Sequence, residues 1–150
     1  MNLLKVPVLL GSLILCFITQ DVIAADLNQT QENFSAKAVK TYSYNYLKYL
    51  PKNYDSKTKF PLLLFLHGAG ERGTNLEKVA VHGPPKLIKQ GRQFPFIVIS
   101  PQCPKESRWD PNALNAMLDQ IIESHAVDES RIYCTGLSMG GFGTWALGGS

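Results

Sequence analysis

The run "LLLFL" at residues 62–66 constrains the fold of this chain more than any other stretch. It is apolar at every position, whereas a strand with one solvated face alternates apolar and polar residues. Each large apolar side chain contributes about 1.5–3 kcal/mol when it is buried. The run therefore predicts a strand covered on both faces, as in a parallel sheet with helices on each side.

Residues 95–101 and 131–136 predict two more buried strands of the same kind. Residues 39–50 alternate instead, with Tyr42, Tyr44 and Tyr46 on one face, and predict a half-buried strand.

Helical segments lie between and after the buried strands. An apolar stripe at helical spacing predicts a helix over residues 111–126, with Asp110 as its N-cap. Residues 75–91 contain Gly-Pro-Pro, which predicts a loop with short helices, and another helix is expected directly after Ser138. Strands that alternate with helices predict an α/β fold with a mostly parallel sheet.

The pattern G-x-S-x-G occupies residues 136–140, directly after the third buried strand. In a nucleophile elbow, a serine stands at the sharp turn between a strand and a helix, and its crowded neighbours must be small. Taken alone, five residues fit a glycine-rich loop with an ordinary surface serine equally well. The strand before the pattern and the helix after it favour the elbow, with Ser138 as a nucleophile.

The loop "HGAGERG", residues 67–73, follows the first buried strand. Attack on an ester creates an oxyanion, which needs preorganised N–H donors worth about 2.7–4 kcal/mol each. One expected donor is the backbone N–H of Met139, after the nucleophile, and the other is that of Ala69. Gly68 and Gly70 would let the loop turn its amides inward, although a simple glycine turn is the alternative.

The first 24 residues predict a signal peptide that is cleaved after Ala24 or Ala25. Their apolar run, residues 6–18, is shorter than the roughly 20 residues that span a bilayer, which disfavours an uncleaved anchor. Residues 25–37 are polar and predict a flexible leader. The expected product is secreted or periplasmic, with no stable membrane anchor after cleavage.

Charge and cysteine spacing bear on other classes of function. The net charge is +3 and the basic residues are dispersed, so no nucleic-acid partner is expected. Cys103 and Cys134 lie outside any C-x-x-C pattern, so we expect separate thiols and no metal site.

Residues 49–73, 96–104, 108–109 and 131–147 together resemble the α/β-hydrolase superfamily. Within it, they are most similar to secreted bacterial carboxylesterases of the feruloyl-esterase-like, prolyl-oligopeptidase-like and phospholipase/carboxylesterase group. The resemblance implies a Ser-His-Asp hydrolase that acts on a small-molecule ester without a metal or organic cofactor.

The resemblance also implies roles for particular residues. Ser138 would be the nucleophile, the amides of Met139 and Ala69 would form the oxyanion hole, and His67 would position its loop rather than act as the base. Trp109 would line the acyl or alcohol pocket, or else pack in the core. Glu71 and Arg72 match the family pattern and are expected to form a structural ion pair.

The sequence departs from the family after the nucleophile, where an Asp or Glu and then a His should follow. Residues 139–150 contain none of these types. His67 belongs to the loop motif, His82 is expected at the surface, and His125 is expected to cap the end of its helix. We therefore expect residues 38–150 to be the N-terminal part of a hydrolase domain, truncated after the nucleophile helix. Such a chain would be poorly folded and nearly inactive alone. The alternatives are an inactive fragment or binding module, or a serine peptidase relative.

Overall fold

A four-stranded sheet runs through residues 40–150, the part of the chain that the computed structural model describes. Strand β2 lies parallel to both β3 and β4, and β1 lies antiparallel to β3. The spatial order is β1-β3-β2-β4, which confirms the mostly parallel α/β sheet. The expected signal peptide (1–24) and leader (25–37) lie outside the described residues. The strands are β1 (Tyr46–Tyr49), β2 (Phe60–Leu66), β3 (Ile97–Pro101) and β4 (Val127–Gly136).

Three helices flank the sheet: α1 (Gly83–Lys89), α2 (Pro111–Ser124) and α3 (Met139–Gly148). Two 3-10 turns, Ala69–Glu71 and Leu76–Val81, precede α1. Among residues 40–150, no helix combines the length and apolarity that a membrane crossing requires.

The ends of α2 follow the sequence signals. Asp110 Oδ1 accepts a hydrogen bond from the Asn112 N–H at 3.0 Å, which confirms the N-cap, and Pro111 takes the first helical position. At the other end, His125 Nδ1 lies 3.2 Å from the carbonyl oxygen of Ile121. This histidine therefore interacts with the carbonyl end of the helix.

Strand β2 is buried on both faces, as the apolar run predicts. Its leucines at 62, 64 and 66 have no exposed surface and belong to one cluster with β3 and α2. Phe65 points the other way, where a Cβ built on Gly83 would lie 2.5 Å from its ring. Glycine at the start of α1 thus lets that helix approach the second face of the sheet closely.

Strands β1 and β4 differ most from their predicted bounds, whereas β2 begins two residues earlier and β3 two residues later than predicted. Strand β1 begins only at Tyr46, which pairs with Pro101, the last residue of β3. One further hydrogen bond runs from the Gln102 N–H to the Asn45 carbonyl oxygen at 2.7 Å. Tyr42 and Tyr44 precede the strand, although they line one groove with Tyr46 as the alternation predicts.

Strand β4 begins at Val127, earlier than the predicted 131. Val127 pairs with Phe60 across an irregularity in the register, which accommodates the polar residues 128–130 within the strand. On its outer side, β4 pairs with no strand among residues 40–150. The side chains of Tyr133, Phe142 and Trp145, on β4 and α3, are exposed.

Candidate active site

Ser138 stands at the tip of a sharp turn between β4 and α3. Its backbone angles are φ 52° and ψ −112°, a region that residues other than glycine rarely adopt. Strand β4 ends at Gly136, α3 begins at Met139, and the serine side chain is exposed. The strand–turn–helix context that the G-x-S-x-G pattern predicts is therefore present in the fold.

Two glycines allow the backbone of this turn to pack in direct contact with neighbouring backbone atoms. A Cβ built on Gly136 would lie 2.2 Å from the carbonyl carbon of Gly140, and one on Gly140 would lie 1.9 Å from the Leu66 carbonyl oxygen. The Leu137 N–H also donates to that Leu66 oxygen, at 3.0 Å. The turn is thereby fixed to the end of β2.

The loop after β2 lies against the turn. A Cβ built on Gly68 would be 3.7 Å from the Ser138 Cβ and 3.5 Å from the Leu137 carbonyl oxygen. Gly70 has no atom within 4 Å of the corresponding position and a φ outside the left-handed region. The two distances from position 68 are ordinary van der Waals distances, and the one tighter contact, 3.1 Å, is with the end of the Glu71 side chain. The loop therefore lies against the turn, although neither position 68 nor position 70 strictly requires glycine.

The two proposed oxyanion donors begin helical turns. Ala69 is the first residue of the 3-10 turn Ala69–Glu71, and Met139 is the first of α3. N–H groups in a first helical turn have no partner within the helix. Among the hydrogen bonds of residues 40–150, none has the Ala69 or Met139 N–H as donor. The two segments that meet at Ser138 thus each keep one backbone N–H available.

His67 is buried and holds the loop from inside. Its Nε2 accepts a hydrogen bond from the Cys103 N–H at 3.0 Å, so Nδ1 carries the proton and donates to the Gly68 carbonyl oxygen at 2.6 Å. Burial lowers the pKa of this imidazole. A neutral ring with both nitrogens engaged has no site left for a proton from Ser138.

Trp109 connects the loop to α3. Its Nε1–H donates to the His67 carbonyl oxygen at 3.2 Å, and its ring meets the His67 ring edge-on with centroids 4.9 Å apart. A Cβ built on Gly143 of α3 would lie 2.8 Å from Trp109. Trp109 is part of the core, and it also lines a cavity of about 160 Å³ together with Met139 and Phe142. The core interpretation of this residue is confirmed, and its contact with an acyl or alcohol group stays a prediction.

Glu71 and Arg72 do not pair with each other in the described part of the chain, contrary to the expected ion pair. The Arg72 guanidinium donates instead to the carbonyl oxygens of Ala69 (2.9 Å) and Ser107 (3.1 Å). The Glu71 carboxylate lies 3.9 Å from His67 Nδ1 and 3.8 Å from His82 Nε2. The two adjacent side chains therefore have different partners, one of each within the loop and one on a later segment.

None of the three histidines hydrogen-bonds the Ser138 hydroxyl within residues 40–150. His125 precedes β4 and Ser138 follows it, so the ten residues of the strand separate them by about 30 Å. His82 is half-exposed and its nearest carboxylate is that of Glu71. Within residues 40–150 the structure thus brings together Ser138, Gly68 and their flanking amides, without a histidine hydrogen-bonded to the hydroxyl.

The cysteines are separate, as predicted. Cys103 is buried, Cys134 is half-buried, and neither forms a disulfide. Burial raises the pKa of both thiols. Within the described segment, no group of three or more histidine, cysteine or acidic side chains is arranged to hold a metal ion.

No protein-family model and no curated protein matches the chain. A solved thermostable esterase is 33% identical, with a TM-score of 0.53, over 67% of this chain and 32% of that one. A ferulic acid esterase from the anaerobic fungus Anaeromyces mucronatus is 19% identical, with a TM-score of 0.45, over 77% of this chain and 56% of its own. The chain therefore spans about a third of the length of the thermostable esterase. Its fold is that of an α/β-hydrolase, and the similarity supports an esterase-like relationship.

Gly140 provides a test of the backbone packing under the turn. Gly140→Ala would place a methyl group 1.9 Å from the Leu66 carbonyl oxygen, so the backbone must shift, and overpacking of this kind lowers the free energy of unfolding by about 1–3 kcal/mol. Gly141→Ala is the matched control, since its nearest atom is 3.8 Å away and alanine favours a helix by about 0.5–1 kcal/mol. Urea unfolding measures both variants, and equal stability would contradict the packing described.

The lowered pKa of His67 predicts a loss of stability on acidification. The unfolded chain, with a histidine pKa near 6.5, binds the proton more readily than the folded protein. The free energy of unfolding should therefore fall as the pH drops below about 6.5 and level off below the folded pKa. His67→Gln keeps polar groups without titrating, so its urea-unfolding profile should be flatter. His82 and His125 are common to both proteins, and identical profiles would rule out this assignment.

Proposed function

We propose that the protein is a serine-dependent carboxylic ester hydrolase with Ser138 as its nucleophile. The observation that carries the proposal is the strained, exposed Ser138, at φ 52° and ψ −112°, beside the glycine loop that follows β2. A non-glycine residue persists in such a conformation only where its surroundings enforce it, and such residues cluster at active sites.

The proposed reaction begins with attack of the Ser138 hydroxyl oxygen on the ester carbonyl carbon, while a general base takes the hydroxyl proton. The tetrahedral oxyanion accepts hydrogen bonds from the Ala69 and Met139 N–H groups, and the positive end of α3 adds to their effect. The intermediate then releases the alcohol, which receives the proton. Water hydrolyses the acyl-enzyme by the same steps and frees Ser138.

We place the general base outside the three histidines of this chain. Both His67 nitrogens are engaged, and His125 is at the far end of β4. A histidine oriented by an Asp or Glu, which residues 40–150 do not place beside Ser138, completes the proposed triad. A chain without that histidine is expected to retain little activity.

The proposed substrate is a small-molecule ester, met outside the cytoplasm if the signal peptide is cleaved. The cavity of about 160 Å³ beside the nucleophile has walls of Trp109, Met139 and Phe142, with the exposed Arg108 at its edge. These apolar walls suit the hydrocarbon part of an acyl or alcohol group. We therefore expect Trp109 to form one wall of the substrate pocket.

A fluorophosphonate probe tests the nucleophile in the protein expressed from its complete reading frame. Label should be found on Ser138 by mass spectrometry, and Ser138→Ala should abolish labelling and reduce kcat for p-nitrophenyl acetate by about 10⁶-fold. Ser56→Ala, at an exposed turn, is the matched control and should label normally. A folded protein with no label and no hydrolysis would favour a catalytically inactive binding module instead.

The oxyanion hole is tested by Ala69→Pro, which removes the proposed N–H donor. Proline fits the first position of a helical turn, and the preceding Gly68 is extended at φ −80° and ψ −176°, as a residue before proline should be. We expect kcat to fall by about 10²–10³-fold with little change in KM or stability. Ala69→Ser keeps the N–H and should retain kcat. Equal kcat values for the two variants would contradict the proposal that the Ala69 N–H is a donor in the oxyanion hole.

A further inference from the structure

A separate cavity of about 270 Å³ lies between the β1–β3 side of the sheet and the segment that covers it. None of its lining residues belongs to the serine turn or to the loop 67–73. Its sheet wall includes Leu47, Tyr49, Val98 and Ser100, and its other wall includes Ala80, Pro85 and Ile88. Most of the surface is apolar, so water inside it would find few hydrogen-bond partners.

Ser100 is the exception in the sheet wall. It is 1% exposed, and its hydroxyl forms no hydrogen bond with any group of residues 40–150. Side chains alternate along a strand, so Ser100 shares its face with Val98, and its partner across the ladder is Leu47. Buried hydroxyl groups nearly always have a partner, so this one calls for a group that the described chain does not supply.

One ion pair lies at the cavity edge, and the third charged side chain of the lining is directed elsewhere. The Lys89 ammonium and the Glu77 carboxylate, both lining residues, form an ion pair. Lys48 follows Leu47 on β1 and therefore projects from the opposite face of the sheet, where its ammonium lies 2.9 Å from His125 Nε2. Because no unpaired charge faces the cavity from these side chains, a charged ligand would lose its hydration without a counter-charge.

We propose that this cavity binds a neutral, mostly apolar molecule with one hydroxyl or carbonyl oxygen, and that the Ser100 side chain, whose oxygen lies beneath the cavity surface, rotates about its Cα–Cβ bond to hydrogen-bond with it. A cavity of about 150 Å³ holds benzene, so about 270 Å³ accommodates a substituted benzene or an aliphatic chain of similar size. The site is independent of the proposed ester hydrolysis, since it shares no residue with the serine turn.

Titration of the full chain with benzyl alcohol and with toluene, followed by ¹⁵N–¹H NMR, tests the site. The two probes have similar sizes and differ by the hydroxyl group. Saturable shifts should centre on the lining residues of β1, β3 and α1. Ser100→Ala should weaken the binding of benzyl alcohol about fivefold relative to that of toluene, because one hydrogen bond is lost. An unchanged ratio of the two dissociation constants would overturn the role of Ser100.

Ala80→Leu tests the location, because the larger side chain fills the cavity and should abolish binding of both probes. Ala116→Leu, on the exposed side of α2, makes the same change outside this cavity and should leave both affinities intact. Circular dichroism checks that each variant folds. If Ala80→Leu does not fold, Ser100→Ala still tests the site independently. Retained binding in a folded Ala80→Leu variant, or no saturable shift in the native chain, would overturn the proposal.

Discussion

The carbonyl oxygen of Leu66, the last residue of β2, is the contact on which the candidate site depends. It accepts the Leu137 N–H, and it lies so close to Gly140 that no side chain fits there. The turn that carries Ser138 is therefore seated on the strand from which the glycine loop emerges. One buried strand thus positions both segments of the site, and its stability comes from the leucines that α2 and β3 cover.

A second set of contacts fixes the loop relative to the rest of the fold. His67 accepts the amide of Cys103 from the segment after β3, and Trp109 donates to the His67 carbonyl oxygen while packing against α3. These bonds require a neutral imidazole with one defined tautomer, because an imidazolium could not accept the Cys103 N–H. The buried histidine therefore has a positioning role that its motif position suggests and its tautomer explains.

Local patterns predicted the parts of the fold that local physics decides. The apolar run of β2, the Asp110 cap and the start of α3 after Ser138 all follow from residues within a few positions of one another. The lengths of β1 and β4 depend instead on partner strands distant in sequence, and no local signal contains that information. Arg72 and Glu71 each have one partner within the loop, Ala69 and His67, and one on a later segment, Ser107 and His82, and the later partners carry no local signal. The unpaired Ser100 hydroxyl gives no sequence signal at all.

At Ser138, the backbone conformation that the proposed catalysis uses lowers the stability of the fold. Glycine would relax the left-handed conformation there, and strain of this type amounts to about 1–3 kcal/mol. A laboratory screen for heat resistance alone would therefore reward replacement of the one side chain that the proposed reaction needs. Thermostable variants of this protein are better sought in the surface of α2 or in the loops, away from the turn that joins β4 to α3.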